Sequence, residues 1–281
     1  MRIVIAIDSF KGSLSSAQGA DALAAGLLDA DPALQILKVP IADGGEGTLE
    51  ALARACEGRL VSVETFDPLE RPRRAAYLLL SGGETAVVEL AAASGLTLLA
   101  PAERDPLAAT TRGTGVVIRR AIDDGARRII LTVGGSATND GGTGIAVALG
   151  AKFLDDRGGE VPPRGGDLVR IRAVDTEGVP LHVAGVEITI ATDVSNPLCG
   201  PAGAARVYGP QKGASPSAVR VLDEGLKTLG EVLERHCGRA VASLPGAGAA
   251  GGTAASLVAL FGARLVSGFE TIAALAGLER E

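Results

Sequence analysis

Hydrophobic positions in this chain fall into short runs broken by loops rich in Gly, Pro, Ser and Asp. Residues 2–7 form an apolar, β-branched run that stops at Asp8, the pattern of a buried strand. Ser13 and Ser15 then precede Leu23, Leu27 and Leu28 at helical spacing, which predicts a side-chain-capped helix over 16–29. A strand at 34–39, a loop at 40–47 and a helix at 48–56 follow. This β-α-β-α alternation predicts a parallel sheet with helices on its faces. From residue 60 the pattern changes to strands at 61–65, 74–80 and 85–90, joined by turns with no room for a helix. Beyond them the chain predicts a helix at 115–123, a strand at 128–133, a helix after 142 and a strand at 152–154. A polar loop at 155–167 leads on to a strand at 187–191, an amphipathic helix at 219–235 and an Ala-rich buried helix at 249–260.

Composition narrows the class. Hydrophobic residues make up 47% of the 281 and charged ones 21%, the balance of a packed globular protein. Aromatic residues are 2% by composition and the net charge is −6, so base-stacking surfaces and a basic backbone-binding face are both lacking, and nucleic acid is not an expected partner. No apolar run approaches the roughly 18 residues of a membrane span, and the N-terminus reads as a strand rather than a signal peptide. Cys56, Cys199 and Cys237 lack metal-ligand or paired spacing, which fits a reducing cytoplasm.

The 39 glycines cluster in loops that follow strands, where α/β proteins place ligands. Residues 8–13 (DSFKGS) put a lysine and two hydroxyls at a strand-to-helix turn, suited to a phosphate or to a plain N-cap. Residues 42–48 (ADGGEGT) offer two carboxylates that can face a metal, accept a proton or simply favour a helix start. Residues 134–142 (GGSATNDGG) flank hydroxyl, amide and carboxylate side chains with glycine pairs, a loop able to wrap N–H groups around an anion. Residues 192–201 and 209–213 combine Asp193, a turn at Asn196-Pro197, and Lys212 between glycines. Residues 110–115 (TTRGTG) suit either a carboxylate or a capping turn. Residues 246–251 match GxGxxG but follow no long strand, which rejects a nicotinamide site and leaves close helix packing or a phosphate loop. There is no GxxxxGK[ST], so an ATP site here is not a Walker P-loop.

Taken together, IAIDSFKGSLS, IADGGEGT, VELAAASGL, GGSATNDGG, TDVSNPLCGP, YGPQKGA and PGAGAAGG resemble, in order and nearly in spelling, the class I bacterial glycerate kinases, from Ile3 to the end. The resemblance implies an α/β fold: a flavodoxin-like parallel-sheet domain carrying a second, inserted α/β domain, with the active site in the cleft between them. It also implies ATP- and Mg²⁺-dependent phosphorylation of glycerate, in most relatives to 2-phosphoglycerate, with 3-phosphoglycerate as the other product to consider. Ile7 replaces a usual proline, and Thr111-Arg112 a usual Ser-Tyr pair. Relatives continue past Leu278 with further motifs, so the flavodoxin-like domain is expected to be incomplete here. The expected division is 1–72 for the first part of that domain, 73–245 for the inserted domain and 246–281 for the return.

On this basis Asp193 is expected to act as the base for the glycerate hydroxyl, with Asp43 next and Lys11 on phosphate oxygens. Ser9, Lys212, Gly134, Gly135, Ser136, Thr138, Asn139 and Asn196 are expected to hold substrate or phosphate, and Arg112 the glycerate carboxylate. Glu46 and Asp140 are the expected Mg²⁺-side carboxylates. The alternative reading is a catalytically incomplete fragment that binds glycerate or nucleotide, or one half of a split enzyme. Partners beyond the small-molecule substrate are then a homo-oligomer or a complementing C-terminal polypeptide, with no membrane and a cytoplasmic location.

Overall fold

A computed structural model describes residues 1–8, 10, 13–40 and 44–277. In chain order the strands are β1 (Arg2–Ile7), β2 (Gln35–Pro40), β3 (Gly58–Phe66), β4 (Pro72–Leu80), β5 (Thr85–Glu89), β6 (Arg128–Thr132), β7 (Lys152–Leu154), β8 (Ala173–Asp175), β9 (Glu187–Ala191) and β10 (Arg264–Val266). The α-helices are α1 (Ser16–Ala30), α2 (Thr48–Ala55), α3 (Ala91–Ser94), α4 (Arg112–Asp123), α5 (Thr143–Ala148), α6 (Leu181–Ala184), α7 (Ala204–Tyr208), α8 (Pro216–Cys237), α9 (Ala249–Phe261) and α10 (Gly268–Leu275).

The main sheet has six strands in the order β10-β9-β6-β5-β4-β3. β5, β6, β9 and β10 run parallel, and the β3–β4–β5 side is antiparallel. Both faces are covered, and the strands alternate between them as a two-residue period requires. Tyr77, Leu79, Ala86, Val88, Ile129, Leu131, Ile188 and Ile190 enter the larger core, with α4, α5, α8 and α9. Leu78 and Val87 point the other way, to Leu49 and Leu52 of α2 and Ile272 of α10. At about 25 cal/mol per Å², this double burial accounts for the near-continuous apolar runs seen in the sequence.

β1 and β2 pair in parallel as a separate two-stranded sheet, packed on α1 through Ile5, Ala20 and Ala24. Ser15 caps α1: its Oγ accepts from Gln18 N at 3.2 Å while Gln18 Oε1 accepts from Ser15 N at 2.9 Å, a reciprocal capping box. β3 pairs with β4 over nine residue pairs, from Gly58–Leu80 to Phe66–Pro72, so the division expected between 72 and 73 runs through this hairpin. Segment 246–277 supplies β10 to the edge of the main sheet and α9 to its larger core. Among the described residues, no helix is long and apolar enough to cross a membrane.

Candidate functional site

The four parallel strands end at Glu89, Thr132, Ala191 and Val266 on one edge of the sheet, and the glycine-rich loops leave from there. The loop after β6 meets, backbone to backbone, the glycine loop that follows β2 of the two-stranded sheet. Gly134 N donates to Gly44 O at 3.1 Å, and a Cβ on Gly134 would stand 2.5 Å from Gly45 Cα. Gly44, at φ +83°, lies over the ends of β6 and β9: its Cβ would stand 3.6 Å from Thr132 Cβ and 3.7 Å from Ala191 O. Glycine is required at 134 because the backbones approach too closely for a side chain, and favoured at 44 by its left-handed φ.

The acid that ends β5 was not among the expected site residues. Glu89 is buried, and its carboxylate accepts from Gly47 N at 3.2 Å and Leu49 N at 3.1 Å. It supplies acceptors that the start of α2 lacks, because the N-cap residue there is Gly47, at φ +88°, with no side chain to cap with. Burial pushes the Glu89 carboxyl up to about 7, the Leu49 and Gly47 N–H groups pull it down, and the charge of Glu46 adds to the rise. The signal in the sequence was an acid closing an otherwise apolar strand. Glu46 itself is exposed and accepts from Thr97 Oγ1 at 2.8 Å.

Residues 138–142 are buried on every side. Asp140 is fully buried; its Oδ2 accepts from Thr111 N at 2.7 Å, Thr111 Oγ1 at 2.8 Å and Gly144 N at 3.2 Å, and its Oδ1 from Gly142 N at 3.1 Å. Desolvation raises its pKa against the pull of those donors. Lys212, also buried, donates to Thr138 O at 2.6 Å and Ser136 Oγ at 2.9 Å. Burial pushes its ammonium down to about 7, with Asp140 pulling the other way. Gly141 N donates to Gly251 O at 3.0 Å, and a Cβ on Gly251 would stand 2.1 Å from Thr138 O. The GxGxxG segment is thus a close-packing device in this fold, and Ala250, Gly251 and Gly252 all adopt left-handed backbone there. Thr138 Oγ1 and both ends of the Asn139 amide are buried without a hydrogen-bond partner among the described residues.

Other expected residues sit further round the same edge. Asp193 accepts from Ser267 Oγ, Gly268 N and Phe269 N, each at 3.0 Å, and so caps α10. Asn196 donates from Nδ2 to Ala202 O at 2.8 Å and accepts at Oδ1 from Tyr208 OH at 2.7 Å. Arg112 is exposed at the first turn of α4, paired with Glu70 at 3.0 Å and lying 5.7 Å over the Phe66 ring. Gly135, at φ +70°, accepts at its O from Leu96 N. Ser9, Lys11 and Asp43 lie outside the described residues. The structure therefore gathers Gly44, Glu46, Gly134, Gly135, Ser136 and Lys212 around two touching loops, and leaves Arg112, Asp193 and Asn196 on neighbouring ones.

Among the described residues of the two touching loops, Glu46 is the exposed carboxylate a divalent cation could meet. No cluster of three or more His, Cys, Asp or Glu side chains suited to a metal occurs among the described residues. Both Asp140 oxygens already accept from protein donors, whereas Glu46 carries an exposed carboxylate. That suits Mg²⁺, which commonly takes one or two carboxylates plus substrate phosphates and water, better than a closed all-protein cage.

Comparison with known proteins places these loops in context. The model of the glycerate kinase family matches residues 3–281. The glycerate kinase of Bacillus subtilis (strain 168) is 44% identical over 272 residues, 97% of this chain and 71% of that protein. The glycerate 2-kinase of Escherichia coli (strain K12) is 44% identical over 279 residues, 99% of this chain and 73% of that protein. Among solved structures, one described as a glycerate kinase 2 from Salmonella typhimurium LT2 aligns with TM-score 0.88 at 44% identity, over 100% of this chain and 75% of that one.

Proposed function

Because the chain belongs to the glycerate kinase family, we propose that it transfers the γ-phosphate of ATP to glycerate and gives 2-phosphoglycerate. The observation that carries this reading is the meeting of the 44–47 and 134–142 loops at the carboxyl edge of the parallel strands, in a chain so similar to named glycerate kinases. Phosphoryl transfer asks mainly for positioning and charge neutralisation, which backbone N–H groups and a few fixed side chains supply.

In this proposal the backbone N–H of Gly135 and the Ser136 hydroxyl face phosphate oxygens, and Gly134, whose N–H donates to Gly44 O, sets the crossing that places them. Thr138 Oγ1 and the Asn139 amide, which have no described partner, are the polar groups left to order substrate or bound water. Lys212 and Asp140 are reassigned to holding the loop, because both are buried with their hydrogen-bonding atoms on protein groups, whereas Asp193 is exposed and keeps lone pairs open to solvent beside the three donors it accepts. Glu46, with phosphate oxygens and water, would hold Mg²⁺, whose charge offsets that of the β- and γ-phosphates. Asp193 takes the proton of the glycerate hydroxyl, with Asp43 the second candidate. Ser9 and Lys11 keep their expected phosphate contacts. Asn196 acts through the turn it builds with Ala202 and Tyr208. Arg112 receives the glycerate carboxylate by exchanging its Glu70 partner for the substrate. A cytoplasmic location, where ATP is supplied, fits this reading.

Phosphorus NMR of the product made from ATP, Mg²⁺ and glycerate tests the reading. A proton-coupled doublet, from phosphate on the secondary carbon, is the expected result. A triplet would move the product to 3-phosphoglycerate. A folded chain that binds glycerate yet forms no phosphoester would favour binding without turnover, whether as a fragment or as half of a split enzyme.

A further inference from the structure

The 44–47 loop has almost no side chains with which to hold itself in place: three of its four residues are glycine. Its position depends on tethers from elsewhere. Gly44 O accepts from Gly134 N, Glu46 Oε1 accepts from Thr97 Oγ1, and Thr48 Oγ1 turns inward to donate to Gly45 O at 2.7 Å. A further tether is Glu89, whose two oxygens hold Gly47 N and Leu49 N from the end of β5. It is the only one of these made by a buried carboxylate, and it joins the sheet edge directly to the first turn of α2.

We infer that Glu89 is a positioning residue of the proposed phosphoryl-transfer site: from the end of β5 it fixes the start of α2 and thereby the place at which the glycine loop presents Glu46. The inference rests on the kinase reading for its effect on rate, but the tether itself is independent of that reading. A carboxylate fits the task because two convergent N–H donors at a helix start carry partial positive charge, which a neutral acceptor matches less well. Burial sharpens the dependence at Leu49, whose N–H has no ready water to turn to once the carboxylate is removed, while the Gly47 contact is part-buried. The chemistry of Glu89 is confined to this: both oxygens face protein N–H groups, and it acts on the reaction only through Glu46 and the loop.

The experiment uses the full chain with Glu89→Gln and Glu89→Asp, and Glu50→Gln on the exposed face of α2 as the control. Glu89→Gln keeps the size but offers only one oxygen, and Glu89→Asp keeps the charge but shortens the reach. Two readouts are taken: amide hydrogen exchange of the peptide covering 44–52, and the kcat, KM and half-saturating Mg²⁺ of glycerate-dependent turnover. The expected result is faster exchange confined to that peptide in Glu89→Gln, with kcat lowered and half-saturating Mg²⁺ raised, each by roughly 10–100-fold, and glycerate KM little changed. Glu89→Asp should recover part of both effects, and Glu50→Gln should match the wild type. Unchanged exchange in Glu89→Gln would overturn the tether. Faster exchange with unchanged kcat and Mg²⁺ dependence would overturn the positioning role. Absence of turnover in the wild type would count against the kinase reading instead, and the exchange result would still decide the tether.

Discussion

The two loops that meet at the sheet edge are held in opposite ways. Around residues 138–142, charged side chains are buried and hydrogen-bonded to the protein: Asp140 accepts from Thr111, Gly142 and Gly144, and Lys212 donates to Ser136 and Thr138. Around residues 44–47, the acid on the loop is exposed, and the buried acid that steadies it comes from another strand. The first loop is a framework built from residue types that look like ligand chemistry. The second is a mobile-looking sequence made into a defined platform by a distant carboxylate. Residue type alone therefore does not separate a ligand from a strut; burial and the existing partners do.

This contrast can be broken most sharply at Asp140. Asp140→Ala leaves several buried donors without an acceptor and should destabilise the fold by about 3–5 kcal/mol, read as a lower denaturation midpoint at unchanged slope. A variant as stable as the wild type, with only its Mg²⁺ dependence altered, would return Asp140 to the metal.

Lys212 gives the next largest effect, with a definite sign. Its folded pKa, about 7, lies below the ordinary lysine value of 10.5, so between those values the unfolded chain binds more protons. Stability should therefore rise as pH increases from about 7 towards about 10, insofar as this group controls it. In Lys212→Met that slope should disappear, measured by denaturant titration across the range.

Glu89 should slope the other way. Its folded pKa of about 7 lies above the ordinary glutamate value of 4.5, so the folded state binds more protons in that window and stability should fall as pH rises through it. Glu89→Gln should flatten the fall, so its stability relative to wild type should improve from pH 4.5 to pH 7. A difference that stays constant over that range would contradict the assigned cause.

The smallest effect belongs to Thr97. Thr97→Val removes one exposed hydrogen bond to Glu46 and should cost about 1 kcal/mol or less in stability, with kcat within tenfold of wild type. A much larger loss of rate would mean that Thr97, rather than Glu89, is the main support of Glu46.

The sequence exposed the strand-and-loop framework well because hydrophobic period and turn chemistry act locally. Strands 152–154 and 187–191 match β7 and β9, and the Ser15 cap of α1 was visible in its spacing. β10, three residues long, and α10, which begins at a glycine, carry too little periodic signal; pairing with β9 and capping by Asp193 make them. The left-handed backbone at Ala250 inside α9 stands next to Gly251, which packs closely on Thr138 and Asn139, a contact far away in sequence. The candidate loops were legible as glycine-rich sites, but their contacts were not, since Gly44 meets Gly134 across ninety residues of chain. Sequence shows the charge of Asp140 and Lys212 but not their burial or their protein partners, on which the proposed reassignment rests. Glu89 was passed over for the same reason, as one acid in an apolar run.

The central claim is that these two loops together make a glycerate kinase site. It is tested most directly by initial rates of ADP release from ATP and Mg²⁺ by the purified 281-residue chain, with and without glycerate. The account predicts saturable release that requires glycerate and falls at least tenfold in Glu46→Gln, without loss of folded structure by circular dichroism. Release independent of glycerate, or none at all from a folded chain, would contradict it.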